Sequence, residues 1–200
     1  MEKQLIISVG REFGSGGHVI AEALAERFGL PLYDNNLLEQ IADERNLSQD
    51  SLKKYDEMPK SRLFSRTVRG YSNSMPENIA QLQFDFLKKK AENGESFVVV
   101  GRCAETKLKD CAGLVSLFIL GDREVKAARI QKLHQTSRTD ALRMMDRADG
   151  ERKAYHNYHC KGKWGDSRNY DLSINSSKLG LEETTAIIER YIKARQEQGA

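Results

Sequence analysis

Residues 5–29, LIISVGREFGSGGHVIAEALAERFG, constrain the fold more than any other stretch of this chain. Leu5-Ile6-Ile7-Ser8-Val9 is a short apolar run with the character of a buried strand. Gly10, Gly14, Gly16 and Gly17 follow within eight residues as a glycine-rich turn. Ile20, Ala21, Leu24, Ala25 and Phe28 then fall on one face of a helix that Gly29 ends. Strand, glycine loop and helix in that order form the layout of a phosphate cradle. Glycines let backbone N–H groups turn inward, and the helix N-terminus adds partial positive charge. The usual pattern is GxxxxGK followed by Ser or Thr. Here Gly17 stands at the lysine's position after Gly16, and His18 comes next. The alternative is a tight turn whose glycines serve packing alone.

The 200 residues suffice for one sizeable core, or one core with small inserted subdomains. A net charge of +3, from 32 Lys and Arg against 29 Asp and Glu, suits an anionic small molecule and gives no footing to nucleic-acid binding. Apolar runs fall well short of the roughly 18 residues that span a bilayer, and the N-terminus lacks a signal-peptide pattern. Cys103, Cys111 and Cys160 are odd in number and show no CxxC spacing. They argue against a disulfide framework or a zinc site and for a reducing, cytoplasmic setting. Homo-oligomerisation is left open.

Further along, residues 30–34 read as a short strand and 37–45 as a helix, with another helix over 49–56. Residues 60–77 are polar and carry Arg62, Arg66 and Arg69. A long helix is expected from Pro76 to Asn93. Ser96-Phe97-Val98-Val99-Val100-Gly101 is the clearest strand, apolar throughout as when both faces of a parallel sheet are covered. A strand over 114–120, helices over 123–134 and 140–158, a strand over 170–175 and a helix over 181–196 complete the pattern. Alternating strands and helices imply a parallel sheet wound on both sides. Ligands bind such sheets at the strands' carboxyl ends. That rule gathers the loop at 10–18, Asp34, Arg102 and the segments after Leu120 and Asn175.

Arg11 and His18 are the cations near the loop. His18 is equally consistent with a surface position in the first helical turn. Arg102 follows a buried strand, where a guanidinium suits phosphate or a nucleobase edge. Arg143, Arg147 and, less closely, Arg152 lie near one helical face. Such arginines can gather around a transferring phosphoryl group, and by spacing alone they equally fit a solvated helix laced with ion pairs. Tyr155, Tyr158, His159, Trp164 and Tyr170 form an aromatic segment that either covers the site or packs. The sequence shows no Ser-His-Asp order, HExxH or metal-ligand spacing.

Taken in order, VGREFGSGGHVIAEALAERFG, LYDNNLLEQIA, VVVGRCAE, DREVKAARI, DRADGERKAYHNY and YDLSINSSKLGLEE resemble the cytidylate kinase-like family. This is a branch beside bacterial cytidylate kinases within the P-loop nucleoside monophosphate kinases. The resemblance implies an α/β, three-layer P-loop fold with a five-stranded parallel sheet in one domain over 1–200. A helical monophosphate-binding insertion would cover 36–93 and a mobile lid 136–168. It further implies that Gly14, Ser15 and Gly16 form the second half of the phosphate loop for ATP accompanied by Mg²⁺. The backbone N–H groups from Gly14 to Gly17 are expected to hold those phosphates, with Arg11 and His18 the candidates for the missing lysine's charge. Asp34 and Arg102 would orient the acceptor, and Arg147, Asp149 and Arg152 would form the lid's Arg-x-Asp-x-x-Arg catalytic set.

Three positions depart from the pattern of true cytidylate kinases. Gly17 stands where those have Lys, Val19 where they have the hydroxyl that helps hold Mg²⁺, and Cys103 where an Asp helps read cytosine. The expected function is phosphoryl transfer from ATP to a small acceptor, a nucleoside monophosphate such as CMP or a related metabolite. The rival is a nucleotide- or anion-binding module impaired in catalysis.

Overall fold

The computed structural model describes residues 3–34, 36–45, 67–68, 71–72 and 75–198. Seven strands are β1 (Ile6–Arg11), β2 (Leu32–Tyr33), β3 (Thr67–Val68), β4 (Tyr71–Ser72), β5 (Phe97–Val100), β6 (Leu114–Leu120) and β7 (Leu172–Asn175). The helices are α1 (Gly17–Phe28), α2 (Leu37–Arg45), α3 (Met75–Glu92), α4 (Ala104–Lys107), α5 (Arg123–His134), α6 (Arg138–His159) and α7 (Gly180–Glu197). The expected helix over 49–56 and the cluster Arg62, Arg66 and Arg69 lie outside the described residues.

Five strands form one parallel sheet in the order β2-β5-β1-β6-β7. β3 and β4 make a separate antiparallel pair. Side-chain alternation decides how the sheet is covered. Ile6 of β1 and Phe97 and Val99 of β5 pack on one face with Leu37, Leu38 and Ile41 of α2 and Ile79 and Leu87 of α3. Ile7 and Val9 of β1 and Val98 and Val100 of β5 pack on the other with Ile20 and Leu24 of α1 and Ile188 and Ile192 of α7. Both faces are therefore dry, which is why β5 reads as an unbroken apolar run and β6 as one broken only by Ser116. β5 and β6 flank β1 on opposite sides, so a crevice opens at the carboxyl end of β1.

Most expected elements recur within a residue or two. The expected second strand over 30–34 shortens to Leu32–Tyr33. The helix expected over 140–158 runs from Arg138 to His159 because Ser137 caps it: its hydroxyl accepts the Asp140 N–H at 3.1 Å. Among the described residues no helix is long and apolar enough to cross a membrane.

Candidate phosphate-binding site

β1 delivers Arg11 to the crevice, and the chain turns through Glu12–Gly16 before α1 starts at Gly17. Gly14 and Gly16 have φ of 82° and 81°, a left-handed backbone that side chains with a Cβ disfavour. The loop is closed internally. Ser15 Oγ donates to the Glu12 carbonyl at 2.8 Å and accepts the Gly17 N–H at 3.3 Å.

Four other segments hold the loop from outside. Arg129 of α5 donates to the Gly14 carbonyl at 2.5 Å. Ser176, after β7, donates to the Ser15 carbonyl at 2.5 Å. The Phe13 N–H donates to Asp149 of α6 at 2.7 Å. The Glu12 carboxylate accepts from Lys126 Nζ at 2.7 Å and from the Gly121 N–H at 3.1 Å. A loop fixed at this many points is preorganised, with the N-terminus of α1 behind it.

Above the loop lies a cavity of about 330 Å³, lined by Gly14, Gly16 and Gly17 together with Arg11, Arg129 and Arg152. His18 and Asp34 also line it. His18 Nδ1 lies 3.0 Å from the Asp34 carboxylate, and its Nε2 lies 3.2 Å from Glu22. His18 thus faces carboxylates. Arg102 is buried at the end of β5, and its guanidinium donates to the Asp34 carbonyl at 3.1 Å. Both Arg102 (φ 60°) and Cys103 (φ 54°) are left-handed. Consecutive strained residues of this kind cluster at binding sites. Behind Arg102 a smaller cavity of about 30 Å³ is lined by Arg11, Arg152, Glu105 and His156 among others.

The three lid residues separate. Asp149 and Arg152, three apart on α6, share the face toward the loop. Arg152 is 20% exposed, stands 3.8 Å from Asp149, and lies over the Phe13 ring at 5.5 Å. Burial raises the Asp149 pKa, against the opposing pull of the Phe13 N–H, Lys126 and Arg152. Arg147 is 82% exposed and pairs with Glu151 at 3.0 Å, while Arg143 pairs with Asp140. Neither of these two arginines lines the cavity.

Arg129, Lys126 and Glu12 were not singled out from sequence. One signal was available for the first two. They are three apart on the helix that follows the carboxyl end of β6, which is where the ligand edge of the sheet falls.

A glycine loop between the first strand and first helix of this five-stranded sheet, with arginines over it, defines a P-loop kinase fold. A structure of shikimate kinase from Bacteroides thetaiotaomicron shares that fold, with a TM-score of 0.54 at 12% identity over 94% of this chain and 98% of that one. The sequence profile of the cytidylate kinase-like family matches residues 6–178, and the chain belongs to that family. A cytidylate kinase of Pyrococcus horikoshii is 26% identical over 94% of this chain and 88% of its own length. A crystal structure of an uncharacterized protein from Eubacterium ventriosum ATCC 27560 is 40% identical, with a TM-score of 0.76 over 95% of this chain and 99% of that one.

Proposed function

We propose that this P-loop kinase moves the terminal phosphoryl of ATP to a nucleoside monophosphate, CMP or a close relative. The observation that carries the reading is the convergence of Arg11, Arg129 and Arg152 with the glycine loop on one cavity that Asp34 also lines. In the step, an acceptor phosphate oxygen bonds to the γ-phosphorus as the bond to the β,γ-bridging oxygen breaks, releasing ADP. Such transfer depends on positioning and on charge spread over the γ-oxygens. Arg152, which borders both cavities, takes the equatorial oxygens. Arg102 and Asp34 orient the acceptor, and the segment 136–168, with Arg147, closes over it.

Arg11 supplies the charge that lysine gives elsewhere. A Cβ on Gly17 would lie 2.5 Å from Arg11 Cβ and 3.2 Å from its Cγ. Gly17 is small because the Arg11 side chain crosses that space. The cavity and cradle fit the phosphates of ATP. They offer Mg²⁺ no loop hydroxyl, because Ser15 Oγ is turned onto Glu12 and residue 19 is valine. Mg²⁺ would enter on the nucleotide's own oxygens, with Asp34 and Glu12 the carboxylates lining the same cavity.

The test is ADP formation by the purified chain with ATP, Mg²⁺ and a panel of nucleotides, nucleosides and small metabolites. Acceptor-dependent turnover, greatest with CMP or a close analogue, is expected, and Arg152→Ala should lower kcat more than about tenfold. No turnover on any acceptor overturns the kinase reading. Gly17 and Val19 favour the impaired binding module as the second reading, and tight calorimetric ATP binding without turnover would establish it.

A further inference from the structure

A second cluster lies behind Arg102, where sequence spacing gave no hint of it. Glu105 on α4, His156 on the last turn of α6 and Cys160 at its C-cap come together in the interior. We propose that these three residues bind one zinc-class divalent cation. One carboxylate oxygen, one imidazole nitrogen and one sulfur all lie within 4.8 Å of one another. A tetrahedral zinc holds such atoms about 3.5 Å apart, so each ligand need move by about 1 Å or less. His156 Nε2 already sits 2.7 Å from Glu105 Oε1. That hydrogen bond keeps the two ligands in register until a cation replaces the proton between them.

The surroundings have the form of a metal site's outer shell. His156 Nδ1 points to Asn157 Oδ1 at 3.4 Å, which leaves Nε2 for the cluster. Asn157 Oδ1 also accepts the Trp164 N–H at 2.9 Å, which fixes it in place. Thr106 Oγ1 donates to Glu105 Oε1 at 3.2 Å. Outer hydrogen bonds of this kind orient ligands and set affinity.

Glu105, His156 and Cys160 are 7%, 4% and 8% exposed. Gathering an acid, an imidazole and a thiol in the dry interior is costly unless their charges are matched. A soft divalent ion matches this donor set. Cys103, also buried, packs against Cys160 within hydrogen-bonding reach. Glu105 and His156 also line the 30 Å³ cavity, room for one water at an open fourth position and a path of entry. A bound ion ties the end of α6, which carries Asp149 and Arg152, to the turn bearing Arg102. The site stands whether or not CMP is the acceptor.

The experiment is a Co²⁺ titration of the full chain after chelator treatment and dialysis, followed by Zn²⁺ competition. We expect a thiolate-to-cobalt charge-transfer band saturating at one ion per chain and abolished by Zn²⁺. Cys160→Ser should abolish the band, and His156→Gln should weaken Co²⁺ binding more than about tenfold. Cys111→Ser, at the third thiol, should leave the band intact. No band in the parent chain, or a band surviving Cys160→Ser, overturns the proposal. Should the variants misfold, the unmodified chain decides by alkylation and mass spectrometry. Zn²⁺ should slow modification of Cys160 at least tenfold while sparing Cys111, and equal rates at both thiols with and without Zn²⁺ reject the site.

Discussion

At the scale of single residues, Gly17 and Arg11 are one feature. Gly17 is buried in the first turn of α1, and its missing side chain is the space Arg11 occupies. The obstructing atom is a Cβ, close to the backbone and unable to swing aside as a side-chain tip could. Installing the lysine of the usual pattern should therefore fail as a repair. Gly17→Lys is expected to cost about 1–3 kcal/mol through overpacking, read from urea unfolding, and to lower turnover. A variant as stable as the parent chain with faster turnover would show that Arg11 does not hold the lysine's place. Cys160 and His156 show how strongly neighbours tune a group. The hydrogen bond from Cys103, then His156 and Thr106, lower the Cys160 thiol against the effect of burial. Burial alone would lower His156, but Cys160 and Glu105 outweigh it and push the imidazole up to about 10. Cys103 moves the other way, raised by its bond to Cys160 and by burial.

At the scale of elements, α6 is a helix that anchors the loop from outside. Its Asp149 accepts the Phe13 N–H, so removing that carboxylate leaves a part-buried donor without its partner. Asp149→Ala should cost about 1–3 kcal/mol and raise the Kd for ATP several-fold by calorimetry, because the loop loses an anchor. Ser137→Ala, at the far end of the same helix, should cost about 0.5–2 kcal/mol with the Kd unchanged. Equal Kd changes in the two variants would mean that α6 acts on the loop only through global stability.

The same helix shows what the sequence could and could not convey. Strands β5 and β6 were legible because both faces are covered and every residue but Ser116 is apolar. The loop was legible because its glycines are local. The ordered motif grouped Arg147 with Asp149 and Arg152, and helical spacing grouped Arg152 with Arg143 and Arg147; the structure turns Asp149 and Arg152 to the loop and Arg143 and Arg147 to solvent. His156 and Cys160, four apart at the end of α6, are neighbours by helical spacing, but Glu105 joins them, and Arg129 reaches the Gly14 carbonyl, only after the fold has formed. No local pattern records those contacts between distant elements.

For the molecule as a whole, the loop is a junction. Its anchors come from β1, α5, α6 and the segment after β7, so a ligand that fixes the loop binds the native state and finds no site in the unfolded chain. A ligand of that kind at a hundred times its Kd adds about 2.7 kcal/mol. For a chain of 200 residues, each kcal/mol is worth roughly 2–4 °C in Tm. ATP at that excess should therefore raise Tm by roughly 5–11 °C. Inorganic phosphate, which fills only part of a 330 Å³ cavity, should raise it less at the same concentration. Arg11→Ala should shrink the ATP shift through weaker phosphate binding while leaving the melting of the ligand-free chain within a few degrees of the parent. An ATP shift no larger than that of phosphate would place the nucleotide elsewhere than the loop. A full shift without turnover would mean that the junction binds its ligand but does not assemble the arginines for transfer.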